Sequence, residues 1–226
     1  IDSRVNYTSL YKLNYQFFEG KTGYKMMGWS KDEEALNVDY DINIEVSKLA
    51  NEQDATVSLY AVWKKSDEIK YYVNIFFEDR SYVFTPTYSI SENNKFMGTY
   101  LEEVVAFDGN IPTFDHFTFN ESKSNISGVI TVSPELILNL YYDRNSYQVT
   151  FDGNGGTYVS GLNTISVKFD DRFWSTRIPR YVREGYHINY HQFIEINIEK
   201  DMVIEIPWEP NQYSIVFDGN GATNHV

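Results

Sequence analysis

Short stretches in which apolar and polar residues alternate recur along the whole chain, and no stretch carries the sustained 3.6-residue period of a long amphipathic helix. Val57-Ser-Leu-Tyr-Ala-Val-Trp63, Tyr72-Val-Asn-Ile-Phe-Phe77, Leu136-Ile-Leu-Asn-Leu-Tyr-Tyr142, Tyr147-Gln-Val-Thr-Phe151 and Tyr213-Ser-Ile-Val-Phe217 put their large apolar side chains on one face of a strand. Gly23-Tyr-Lys-Met-Met-Gly-Trp29 and Gly185-Tyr-His-Ile-Asn-Tyr190 do the same after a shared Gly-Tyr. His187–Ile198 reads as two short strands, and Ile44–Leu49 as a single helical turn. Tyr100–Phe107 and Asp171–Tyr181 are expected to be short helices or crossovers. The pattern predicts a mainly β chain.

The strands repeat. Tyr147-Gln-Val-Thr-Phe-Asp-Gly-Asn-Gly-Gly-Thr157 returns 66 residues later as Tyr213-Ser-Ile-Val-Phe-Asp-Gly-Asn-Gly-Ala-Thr223, with seven of eleven positions identical. In each copy Asp-Gly-Asn-Gly supplies residues that tolerate positive φ, so the strand should end in a tight turn. Gly153, Gly155, Gly219 and Gly221 are therefore assigned a structural role. Closing strands end in aromatics at Trp63, Tyr142 and Trp208, and opening strands restart at Tyr72, Tyr147 and Tyr213 after short polar linkers. This order of opening strand, turn, variable middle, closing strand and linker divides the chain into 1–65, 66–144, 145–210 and the start of a further unit at 211–226. Linkers of four to seven residues predict few contacts between units. Ile1 is not a natural start, so the chain reads as a piece of a longer protein, with the opening strand of the first unit either upstream or supplied by Tyr11–Phe18.

Composition adds exclusions. Aromatics are 17% of residues, chiefly 19 Tyr and 15 Phe, which suits pleated strands. There is no Cys, which removes disulfides, thiolate metal ligands and thiol nucleophiles. The net charge of −13 and the lack of any basic run longer than Lys64-Lys65 argue against nucleic acid. No apolar run approaches the roughly 20 residues of a membrane helix, so no membrane insertion is expected within these residues.

The tests for chemistry fail one by one. His187 and His191 have the spacing of a helical metal pair but fall in a strand-like segment, and no Glu follows the first His. Asp152-Gly-Asn-Gly lacks the spaced carboxylates of a calcium loop. No Gly-x-Ser-x-Gly elbow or phosphate-binding Gly-rich loop is present. A non-enzyme with no cofactor and no metal is expected. Trp29, Trp63, Trp174 and Trp208 could stack on carbohydrate, yet units of this size also need large aromatic anchors for their cores. Trp29, Trp63 and Trp208 are read as structural, and Trp174, Phe173 and Tyr181 as candidate ligand-contact aromatics.

Gly23-Tyr-Lys-Met-Met-Gly-Trp-Ser30, followed by Thr56-Val-Ser-Leu-Tyr-Ala-Val-Trp63, resembles the Listeria–Bacteroides repeat, which is related to the internalin B-repeats. Tyr147–Thr157 resembles the opening of that repeat. The middle unit resembles MucBP-like modules in its Tyr-Val-x-Ile-x-Phe start and Leu-x-Leu-Tyr-Tyr close. Two departures stand out: Gly185–Tyr190 lacks the Gly-Trp of the repeat, and Pro207, which cannot donate to a ladder, predicts an edge strand. The resemblance implies β-grasp-like α+β modules on the surface of a bacterium or in its secreted fraction. It implies a stalk or spacer role and adhesion to a host glycoprotein, a glycan or another surface protein. A carbohydrate-binding module attached to an enzyme elsewhere is the alternative.

Overall fold

In the computed structural model, residues 4–14, 19–80, 86–171, 177–194 and 196–221 are described. The chain is mainly β, as the alternation predicts. Strands β1 (Tyr11–Lys12), β2 (Tyr24–Ser30), β3 (Tyr40–Asp41), β4 (Glu45–Val46) and β5 (Tyr60–Lys65) form the first segment. The middle contains β6 (Ile69–Glu78), β7 (Tyr88–Gly98), β8 (Glu103–Val105), β9 (Phe117–Phe119), β10 (Ser127–Val129) and β11 (Leu136–Arg144). The third holds β12 (Ser146–Asp152), β13 (Thr157–Ser160), β14 (Thr164–Lys168), β15 (Arg180–Val182), β16 (Tyr186–Ile188), β17 (Met202–Glu205) and β18 (Trp208–Pro210). Among the described residues helix is confined to 3-10 turns such as Ala106–Gly109 and Tyr190–Phe193, so the helical arm of a β-grasp is not seen. The turn expected at Ile44–Leu49 is instead β4, paired with β1. The second strand expected in His187–Ile198 is replaced by the 3-10 turn after β16.

Contacts group the chain into two compact units. One comprises Ile1–Phe77, Tyr88–Thr113 and Phe119–Tyr142, the other Glu78–Thr87, Phe114–Thr118 and Asp143–Val226. In the first unit, β2 lies between β3 and β5 in an antiparallel sheet, and Trp29, Met26, Val46 and Leu13 form a small core with Trp63 against it. The middle sheet runs β7–β6–β11–β9. β6 and β11 are parallel, in the register Tyr71↔Leu136 to Phe77↔Tyr142. Alternation sends Tyr71, Val73, Ile75, Leu138, Leu140 and Tyr142 inward, where they are buried with Ala106 and Ile130. The segments before and after the first linker touch: Tyr100 donates its N–H to the Ser66 carbonyl, and its ring meets Tyr24 edge-on at 5.6 Å. That linker shrinks to residues 66–68 because β5 and β6 run into it, and only Asn145 separates β11 from β12.

In the second unit, β12 sits between antiparallel β14 and parallel β17. Val149, Phe151, Val167, Phe193, Ile198 and Ile206 are the most deeply buried members of its core. Pro207 splits the closing segment. Before it, β17 forms the sheet edge; after it, β18 turns away to pair with β16. This gives an exact counterpart in the first unit. Tyr24 faces Lys65 and Met26 faces Trp63, while Tyr186 faces Pro210 and Ile188 faces Trp208. The carbonyls of Gly23 and Gly185 accept matching bonds from Ser66 and Asn211.

The Asp-Gly-Asn-Gly-Gly turn shows why glycine recurs there. Asp152 Oδ1 accepts from the Asn154 N–H at 2.9 Å, and Asn154 and Gly155 take positive φ. The outer glycines serve close packing instead: a Cβ on Gly153 would lie 2.6 Å from the Tyr181 ring, and one on Gly156 2.3 Å from the Trp208 ring. Trp208 also donates its indole N–H to the Gly153 carbonyl at 2.9 Å. The second copy repeats the local bond, from the Asn220 N–H to Asp218 Oδ1, but among the described residues no strand pairs with it. Phe217 is 93% exposed where its counterpart Phe151 is 1% exposed.

Two predictions follow from this packing. Gly156→Ala should destabilise the second unit by about 1–3 kcal/mol, because ring and backbone must both yield to the new methyl. Chemical denaturation checks it, and an unchanged midpoint refutes the contact. Burial raises the Tyr71, Tyr142 and Tyr181 hydroxyls above the ordinary tyrosine value of 10.0. A raised folded-state value stabilises fully below 10 and is lost as pH climbs through it. Melting temperature should therefore hold to about pH 9 and fall above about pH 10, less steeply in a Tyr142→Phe, Tyr181→Phe double variant.

Candidate functional site

The aromatics singled out in the sequence divide by location. Phe173 and Trp174 lie outside the described residues. Tyr181, expected as a ligand contact, is 8% exposed, and its hydroxyl donates to Asn163 Oδ1 and sits 3.2 Å from the Phe151 carbonyl. Its ring packs on the Gly153 backbone, so it is an internal strut with no free face to offer. Trp29 is buried, while Trp63 and Trp208 pack against the two cores. Gly153 and Gly155 build the turn described above, and Gly219 and Gly221 belong to its second copy, where Gly221 keeps the positive φ.

Polar clusters elsewhere are spent on structure. In the second unit Glu78 and Arg144 are buried: Glu78 accepts from the Arg144 backbone N–H at 2.9 Å and pairs with Lys168, while the Arg144 guanidinium bonds Asp171 at 2.9 Å. His116 stacks on Phe169 and bonds the Tyr147 hydroxyl. His187 lies in β16 beside Asn211 and Glu209, whereas His191 sits on the following 3-10 turn. Asp39 is held below the usual carboxylate value by the Lys31 backbone N–H and the Ser30 hydroxyl. Among the described residues no three His, Asp or Glu side chains converge as a metal site would require. An open groove of about 490 Å³ beside Arg177 and Leu162 brings no set of convergent polar groups, since Arg177 already donates to the Ser166 carbonyl.

The outer face of the middle sheet differs. The register places three rows side by side across β6 and β11: Tyr72 beside Ile137, Asn74 beside Asn139, and Phe76 beside Tyr141. Asn93, on β7, extends the central row. Asn93 Nδ2 donates to Asn74 Oδ1 at 2.6 Å, and Asn74 Nδ2 donates to Asn139 Oδ1 at 3.0 Å. Asn125 braces the end of this ladder, its side chain bonding the Asn139 N–H and the Ile137 carbonyl. In the aromatic row, Phe76 and Tyr141 stack at 4.8 Å with 16° between planes, and Tyr88 meets Tyr141 edge-on at 5.2 Å. The Lys123 ammonium caps the row, 4.3 Å from the Tyr88 ring centre. All of these residues belong to the first unit, and all are half-buried or exposed.

The sequence pattern carries a signal for this face in residues other than the expected ligand-contact aromatics. The outward positions of both strands spell apolar, Asn, aromatic in the same order: Tyr72, Asn74, Phe76 and Ile137, Asn139, Tyr141. A solvated outer face would ordinarily carry charged residues there. Parallel pairing in this register is what aligns the two triplets, and alternation alone does not specify it.

No family model matches the chain. No solved structure matches it. Among curated proteins it is similar to a protein named "Putative Gly-rich membrane protein" from Evansella cellulosilytica, at 23% identity over 221 residues, covering 90% of this chain. The chain spans only 23% of the length of that relative.

Proposed function

We propose that these residues are a non-catalytic repeat region of a bacterial cell-surface or secreted protein, acting as a stalk or spacer and contributing to adhesion. The observation that carries the reading is the shared register of the first and third segments. The same Gly-Tyr strand pairs with the same Trp-bearing closing strand, and the same glycine carbonyl is bonded from the following linker. Two copies of one pairing scheme in one chain are the mark of a tandem array, in which each unit repeats a supersecondary pattern. The resemblance to Listeria–Bacteroides and MucBP-like repeats supplies the surface location and the adhesive role. A relative bearing the name of a membrane protein is in keeping with it. Among the described residues no helix is long and apolar enough to cross a membrane.

A second reading, a carbohydrate-binding module attached to an enzyme, draws on the aromatic and amide rows of the middle sheet. Both readings place binding, not chemistry, in this chain.

Antibodies raised against the chain should label intact cells of the organism that makes it, or its culture medium, and brief protease treatment should strip the cell label. Label found only after lysis would overturn the surface reading. A screen of the purified chain against mucin and matrix glycoproteins should then find a partner; a screen that finds none leaves the spacer role alone.

A further inference from the structure

We propose that the outer face of β7, β6 and β11 binds a neutral oligosaccharide on the asparagine row. This deepens the adhesion reading above and rests on it. The floor of the site is the amide ladder Asn93–Asn74–Asn139. Its walls are the rows two residues away on either side: Phe76 with Tyr141, and Tyr72 with Ile137. Two residues along a strand span about 6.6 Å, so the walls stand about 13 Å apart, and three strands give the floor a length of about 10 Å. A stretch of two linked pyranose rings fits those dimensions.

The chemistry of the floor selects the ligand. A primary amide offers two N–H donors and an acceptor with two lone pairs. The ladder uses one donor of Asn93, one donor of Asn74 and one acceptor each of Asn74 and Asn139. The remaining capacity alternates donor and acceptor along the row, which is what a sugar hydroxyl, itself donor and acceptor, requires. Lateral bonding holds the amides in place before any ligand arrives, and Asn125 fixes the β11 backbone beneath Asn139, lowering the ordering cost of binding. The aromatic wall presents rings to the apolar C–H face of a pyranose.

Charge narrows the class further. The chain carries 32 Asp and Glu, yet none occupies the six outward positions of β6 and β11 that make floor and walls. A cation would find no carboxylate there. A polyanion would meet the field of a chain with net charge −13. An uncharged, hydroxyl-rich ligand matches what remains. The parallel pair strengthens the case, because parallel strands are ordinarily covered on both faces, and this one leaves aromatic side chains part-exposed.

The test uses the whole 226-residue chain, isotope-labelled for NMR, titrated with cellohexaose, chitohexaose, mannohexaose and neutral glycans released from mucin, alongside their sialylated counterparts. At least one neutral probe should bind with a Kd of about 0.1–1 mM and shift resonances of β6, β7 and β11. Asn139→Ala should weaken it at least about tenfold. Asn93→Ala, on the exposed edge strand, should weaken it in the same direction with the melting temperature unchanged, so that loss of binding is not loss of fold. The proposal is overturned if no neutral probe shifts these strands, if shifts map elsewhere, if both variants bind as the parent does, or if only sialylated probes bind and salt abolishes the effect. Retained binding to enzymatically deglycosylated mucin, with no oligosaccharide bound, removes this site while leaving the adhesive role intact. Cells that hold the protein inside, with glycan binding preserved, do the reverse.

Discussion

The pairing of an opening strand with its own closing strand, side by side and parallel, is the constraint on which the middle and third segments of this chain depend. β6 and β11 make one such pair, β12 and β17 another. Parallel neighbours cannot be joined by a hairpin, so everything between them must travel out and return. That return accounts for the variable middles, with their small two-stranded sheets and 3-10 turns. It also brings apolar rows into register from opposite ends of a unit: Val73 beside Leu138, Ile75 beside Leu140, and Phe151 beside Ile204. The free copy at Tyr213–Phe217 shows the dependence from the other side. Its sequence closely matches β12, but among the described residues it pairs with no strand, and Tyr213, Ile215, Val216 and Phe217 are exposed.

Local and long-range instructions separate cleanly in that comparison. The turn after each copy forms through the same Asx bond and the same positive φ at Asn and Gly, whether or not a sheet surrounds it. These features are written within four residues and were legible in the sequence. Strand alternation was legible for the same reason, as was the edge position implied by Pro207. What required the fold was the second duty of Gly153 and Gly156. Gly153 reads as a turn residue and Gly156 carries no assigned role, yet their bare backbones are contact surfaces for Tyr181 and Trp208, which arrive from distant parts of the chain. Tyr100–Phe107, expected as a short helix or a crossover, met a different competitor: Glu103–Val105 found an antiparallel partner in β10, and a 3-10 turn with positive φ at Phe107 and Asp108 follows it.

The site was less legible than the fold because aromatic residues carry two meanings. Tyr181 and Tyr141 are the same residue type, and each lies on a strand, β15 and β11. One ends buried with its hydroxyl engaged, the other on an outer face stacked against Phe76. Parity along the strand decides between them, and parity has meaning only once the buried face is known. The asparagines were overlooked for a related reason: a single Asn in a strand signals little, and its value came from three of them meeting across β7, β6 and β11.

A parallel pair with an open outer face is a physical problem before it is a binding site. Aromatic and aliphatic side chains alone across Tyr72, Phe76, Tyr141 and Ile137 would make one continuous apolar strip, the kind of surface that drives unwanted association. The amide row cuts that strip in two. Its members also bond one another, which holds the row in place while each amide keeps hydrogen-bonding capacity to spare. Lys123 over Tyr88 and Tyr141 adds a charge that keeps the aromatic row solvated. Solubility alone would be met more simply by Lys and Glu at these positions, as on ordinary solvated strands. The choice of uncharged amides between apolar walls therefore asks for a reason other than solubility, and recognition of an uncharged polyol supplies it.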